Sequence, residues 1–141
     1  MSDFFTALQI SASGLAAQRT RVDLATSNLA NAQSTRGPDG QPYRRLDPVL
    51  ETVAFEASLA EAGAAPAGVR VAEVVADTDP GRKVFSPGHP DADADGFVTL
   101  PNVDPIHEVV NLMSASRSYD ANATAVETLK TMAQRALDIV R

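Results

Sequence analysis

From Ile106 to Arg141 the chain has neither glycine nor proline. Across that stretch Val109, Leu112, Ser116, Tyr119, Ala123, Val126, Lys130, Ala133, Leu137 and Val140 follow one another in unbroken steps of three and four. A strict 3-4 alternation keeps one narrow stripe of a helix turned toward a partner helix, as in a coiled coil. Near the N-terminus Leu8, Leu15, Val22 and Leu29 recur every seven residues, with Ile10, Ala17 and Leu24 in a second row beside them. A chain with long apolar seams at both ends is better suited to assembly than to catalysis. Burying one such stripe returns less free energy than the backbone entropy of ordering about 35 residues, so each seam needs partner helices on more than one side.

The middle is built differently. All 9 prolines lie between Pro38 and Pro105, and every one of the 8 glycines except Gly14 lies between Gly37 and Gly96. Because proline and glycine break helices and punctuate turns, they divide the chain into three segments. These are a helix over 1–32, a β-containing middle over 33–104 and a helix over 105–141. The expected fold class is α+β: two long terminal helices forming a coiled-coil domain, and a small, mostly antiparallel β middle domain.

Local signals refine this division. Ser2 or Asp3 can cap the first helix, and Asp104 followed by Pro105 fits the cap and first turn of the last one. Glu108 suits the positive end of that helix. Gly14 marks a bend or a close contact, and Thr26-Ser27-Asn28 with Asn31 predicts fraying of the last turns. Gly37-Pro38-Asp39-Gly40 is a turn. Strand-like runs follow at Tyr43–Phe55, Val69–Ala76 and Lys83–Ser86, whereas the Ala- and Gly-rich stretch Glu56–Ala67 reads as a loop.

The formal net charge is −6. Both ends are close to neutral, and residues 37–104 carry the whole acidic surplus, with 12 Asp and Glu against 5 Arg and Lys. Near-neutral ends can pack closely in many copies, whereas an acidic middle suits a solvated surface. No basic patch points to nucleic acid. With no cysteine, disulfides and thiolate metal sites are excluded. Met1-Ser2-Asp3-Phe4-Phe5 lacks the features of a cleavable signal peptide, and no run has the length of a membrane span, so insertion into a lipid bilayer is not expected.

Motifs for chemistry are incomplete. Asp91, Asp93 and Asp95 followed by Gly96 begin like an EF-hand loop, but the twelfth position, where a bidentate Glu belongs, holds Asn102. The alternative is an acidic solvated turn. His89 and His107, the two histidines, would have to converge with a carboxylate to hold zinc. Neither cofactor nor metal is expected, and no residue is assigned to catalysis. Ser114, Ser116 and Ser118 read as small groups that permit close packing. Tyr43-Arg44-Arg45 is either a strand with exposed charges or a pair of arginines reaching acidic groups on a neighbour.

Several strings carry a family likeness. Ser27-Asn28-Leu29-Ala30-Asn31-Ala32, followed by Pro42-Tyr43-Arg44-Arg45, resembles the N-terminal signature of bacterial flagellar axial proteins. Pro101-Asn102-Val103-Asp104-Pro105-Ile106, continued by Val109 to Asn122, resembles the rod proteins of that family, as does Pro87 to Val98. Many axial relatives carry a short Thr-Pro-Gly-Tyr turn where this chain has the longer run Gln33 to Tyr43, a form that suits one rod subgroup. The resemblance implies a structural, non-enzymatic subunit of the proximal rod, the periplasm-spanning drive shaft that carries motor torque to the hook. It also implies passage through the flagellar type III export apparatus without a cleavable signal peptide, and helical polymerisation with other copies and other rod proteins. The residues expected at subunit interfaces are Leu8, Leu15, Val22, Leu29, Leu112, Ser116, Tyr119, Val126, Leu129, Lys130 and Leu137. The polar entries Ser116 and Lys130 are candidates for setting register. Two other readings compete: a coiled-coil adaptor outside the flagellum, and a metal-dependent enzyme centred on His89, Asp91, Asp93 and Asp95.

Overall fold

The computed structural model describes residues 2–54 and 67–139. The side chains of Ser2 and Asp3, Phe55, Val140 and the expected Glu56–Ala67 loop as far as Pro66 lie outside what is described, while Ala67 already belongs to a strand. The architecture is α+β. Helix α1 (Ser2–Ala30) and helix α2 (Pro105–Ile139) enclose, in sequence, four strands: β1 (Leu46–Ala54), β2 (Ala67–Ala76), β3 (Arg82–Phe85) and β4 (Phe97–Leu100).

The strands form two separate antiparallel ribbons, β1–β2 and β3–β4. In the first, Leu46 stands opposite Ala76 and Ala54 opposite Ala67, with a bulge at Val49/Leu50. Val49 pairs with Glu73 and Leu50 with Val71, so Ala72 is the extra residue. This bulge is where the alternation of Val69 and Val71 slips to Val74 and Val75. On the outer face Arg70 reaches its cross-strand partner Glu51 at 2.7 Å. Toward α1, the Ser13 hydroxyl accepts a hydrogen bond from the Val69 amide at 3.1 Å, which seats the ribbon on the helix.

The fourth strand was not among the expected runs. Phe97–Leu100 is only four residues long, between Gly96 and Pro101, and pairs with β3 through Phe85–Phe97, Val84–Val98, Lys83–Thr99 and Arg82–Leu100. Gly96 adopts φ +82, and a Cβ there would lie 2.9 Å from the Phe85 ring. Ala32, Val98 and Val103 are each buried.

The expected fraying at the end of α1 does not occur. Helix continues through Ala30, and Asn28 is 1% exposed. The polar residues that weaken a solvated helix end are here bonded to the rest of the chain. Pro105 opens α2, where the Asp104 carboxylate accepts from the Ile106 amide at 2.9 Å and the Asp104 carbonyl from the Glu108 amide at 3.0 Å. This is the expected cap.

Candidate assembly site, the helix seam and its polar knot

The terminal helices pack antiparallel. Two contacts set their register: Asn28 meets Glu108, and the Cα of Gly14 lies against the side chain of Asn122. Fourteen residues separate the two contacts on each helix, about 21 Å of rise. The same register sets Arg21 level with Ala115 and Ala7 level with Leu129. The contacting rows are therefore Ala7, Gly14, Arg21 and Asn28 on α1, and Glu108, Ala115, Asn122 and Leu129 on α2.

Both rows have the seven-residue spacing read from the sequence, but each is displaced by one position. The row Leu8, Leu15, Val22 and Leu29 is turned about 100° from the seam at 3.6 residues per turn, and all four side chains are half-buried. On α2, Val109, Ser116, Tyr119, Lys130 and Leu137 are exposed, with Leu137 70% accessible, while Leu112 and Val126 are half-buried beside the seam. The half-buried Leu129 lies on the α1-facing row. The physical reason is size. Ala17, Ala25 and Ala115 are 5% exposed or less, and with Gly14 they let the backbones approach closely, which large side chains in the seam would prevent. The larger apolar residues flank the contact instead.

One end of the seam is closed by a polar knot that joins three elements. Asn28 uses both ends of its amide. Its Nδ2 donates to the Leu46 carbonyl at 2.9 Å and to Glu108 Oε2 at 3.3 Å. Its Oδ1 accepts from the Leu46 amide at 2.9 Å and from the Tyr43 hydroxyl at 2.9 Å. The hydroxyls of Tyr43 and Ser27 lie 3.3 Å apart. Glu108 is 1% exposed and receives Arg45 Nε on Oε1 at 2.7 Å. Arg45 also pairs with Asp47. Burial pulls the Arg45 pKa down, but its hydrogen bond to Glu108 and the charges of Asp47 and Glu108 outweigh this and raise it. A buried charge left unpaired is costly. Here no described buried side-chain nitrogen or oxygen lacks a partner.

Arg45 thus has acidic partners within its own chain, whereas Arg44 is exposed. The knot was not anticipated. Its sequence signals were Asn28 inside a helix and Glu108 in a first turn, and 80 residues separate them.

The acidic loop has a different use for its carboxylates. Asp93 accepts hydrogen bonds from the amides of Asp95 at 3.0 Å and Phe97 at 2.8 Å, which shapes the β3–β4 turn. Asp91 accepts from the Thr35 hydroxyl at 2.7 Å and pairs with Arg36 at 3.4 Å, tying this loop to the segment after α1. His89 accepts from the Asp91 amide at 3.1 Å. His107 is on α2 beside the knot, in a cleft of about 460 Å³, and so does not join His89. Among the described residues no cluster of three metal-ligating side chains occurs.

Two families match the ends of the chain: "Flagella basal body rod protein" over residues 8–38 and "Flagellar basal body rod FlgEFG protein C-terminal" over residues 94–139. These matched stretches contain Asn28 and Glu108. Among curated relatives, the flagellar basal-body rod proteins FlgC of Escherichia coli O6:H1 and Salmonella typhimurium are each 48% identical over 130 residues, covering 92% of this chain and 92% of theirs. The FlgC of Bacillus subtilis is 41% identical over 145 residues, covering 96% of this chain and 97% of its own. At that identity and coverage the chain belongs to the FlgC family of flagellar basal-body rod proteins.

Proposed function

We propose that the chain is a structural subunit of the proximal rod, with no catalytic role, which polymerises helically with copies of itself and with other rod proteins. The observation that carries this reading is the full-length kinship to FlgC proteins. The unpartnered apolar surface of the single chain supports it: Ile106 is 77% exposed, Val110 58% and Met113 50%. In the proposal 1–32 and 105–141 form the inner helical layer, and 33–104 faces outward with its acidic surplus in solvent. The flanking rows, Leu8, Leu15, Val22 and Leu29 on α1 and Val109, Ser116, Tyr119, Lys130 and Leu137 on α2, make the contacts between subunits. Leu112, Val126 and Leu129 support them from within the pair. The chain reaches the periplasm through the flagellar type III export apparatus and spans it as part of the drive shaft.

The test is a charge placed on a flanking row. Val22→Asp is expected to leave export into the periplasm intact, while removing the chain from purified basal bodies and abolishing swimming. A motile strain with Val22→Asp in normal basal bodies would sink the assignment of this row. Absence of the unmodified chain from basal bodies would sink the rod placement itself.

A further inference from the structure

We propose that the Asn28–Arg45–Glu108 knot is a register lock: it fixes the axial position of α1 against α2, and with it the point from which the β1–β2 ribbon leaves the helices. The seam itself has little power to do this. Outside the knot its contacting rows hold one large apolar residue, Leu129; the others are Ala7, Gly14 and Ala115 with the polar Arg21 and Asn122, and its most buried apolar members are alanines. Small residues at seven-residue spacing present nearly the same surface after a slip of one heptad, so apolar burial discriminates weakly between registers. A buried polar contact does discriminate, because a slip leaves its partners desolvated and unbonded.

The geometry of the knot suits that task. A slip of seven residues moves one helix past the other by about 10.5 Å at 1.5 Å per residue, beyond the reach of any hydrogen bond in the cluster. Such a slip takes Glu108 away from both Asn28 and Arg45, leaving a carboxylate that is 1% exposed without its cation. Asn28 is held to the Leu46 backbone through both the amide and the carbonyl, so β1 starts from the same reference point. One position of the chain therefore references α1, α2 and the middle segment to one another. Gly14 permits this register at a second level by leaving room for Asn122. The inference concerns the chain's internal geometry and stands apart from its placement in the rod.

The absence of cysteine permits site-specific spin labels on the full-length chain. Ala16→Cys and Thr131→Cys place them on exposed positions of α1 and α2, far enough apart along the helices that a slip in either direction changes their separation. Pulsed electron paramagnetic resonance is expected to give one narrow distance in the otherwise unmodified chain, free or in basal bodies. Glu108→Ala should add a second, resolved population, because a slip of one heptad changes the axial offset of the two labels by about 10.5 Å. Val126→Ala, in the pair but away from the knot, should keep the single distance. An unchanged single population in Glu108→Ala, or an equal second population in Val126→Ala, overturns the proposal. If circular dichroism shows that Glu108→Ala has lost its helices, Arg45→Lys decides. It keeps the charge and loses the guanidinium fork, so a second population supports the lock, and one narrow distance at full helicity overturns it.

Discussion

Gly14 shows how a single side chain, or its absence, governs the seam. In the middle of a helix, glycine costs about 1 kcal/mol relative to alanine. A Cβ at this position would stand 2.9 Å from Asn122 Nδ2, so that gain is available only if the amide moves away. Gly14→Ala is therefore expected to leave stability nearly unchanged in the natural background and to raise it by about 1 kcal/mol in an Asn122→Ala background. Denaturant unfolding of the four chains measures the coupling, and additivity would show that the two residues do not compete. Asp91 gives a second residue-level expectation. The Thr35 hydroxyl bonded to its carboxylate, helped by the Arg36 charge, lowers its pKa below the ordinary value. A depressed carboxylate pKa stabilises the fold above the unfolded value, and the contribution is lost as pH falls through the folded one. The tether between the β3–β4 loop and Thr35 should thus persist at neutral pH and loosen only below the usual carboxylate range. Thr35→Val should move the Asp91 titration upward, as followed by carboxyl nuclear magnetic resonance. In the sequence, Gly14 was legible as a bend or close contact. That Asp91 belongs to a tether instead of a calcium loop was not legible, because Thr35 lies 56 residues away.

At the level of elements, the helices were readable because their signals are local. Asp104-Pro105 capped α2 as expected, and the absence of glycine and proline allowed it to run to Ile139. The seam was misplaced by one residue for a definite reason: Leu8, Leu15, Val22 and Leu29 carry the apolar volume, but the close approach of the helices is set by small neighbours. Residue size and residue burial part company wherever two helices meet through alanine and glycine. The short strand β4 escaped notice because four residues hold too little alternation to register. The two kinds of helix-end contact differ in weight. Asp104→Ala removes a cap at an exposed terminus and is expected to cost about 1 kcal/mol. Glu108→Ala leaves Arg45 with Asp47 as its acidic partner and removes one of the two bonds of the Asn28 amide group in a buried site, and is expected to cost about 3 kcal/mol. Thermal or denaturant unfolding should separate the two by at least a factor of two. Equal costs would mean that the knot is far more solvated than its 1% exposure indicates.

At the scale of the whole molecule, the described residues satisfy their buried polar side chains but leave much apolar surface uncovered. The β1–β2 ribbon has two strands and packs mainly on α1, a size that is marginal by itself in water. Along α2, Ile106, Val109, Val110, Met113, Met132 and Leu137 are all 41% exposed or more. Isolated helices gain most of their stability from tertiary packing of a covered face, and here one face is covered by α1 while others remain open. A chain of this kind is completed by its neighbours, and binding partners stabilise whatever conformation they select. The helicity of the free chain is accordingly expected to be lower than that of the same chain in basal bodies, with the deficit concentrated in the turns of α2 farthest from the knot. Hydrogen exchange should show the contrast residue by residue: protection near Glu108 and Ala115 in both states, and protection near Met132 and Leu137 gained only on assembly. Equal helicity and equal protection in the two states would mean that the exposed rows are stable in water as they stand, which would remove their exposure as an argument for subunit contacts.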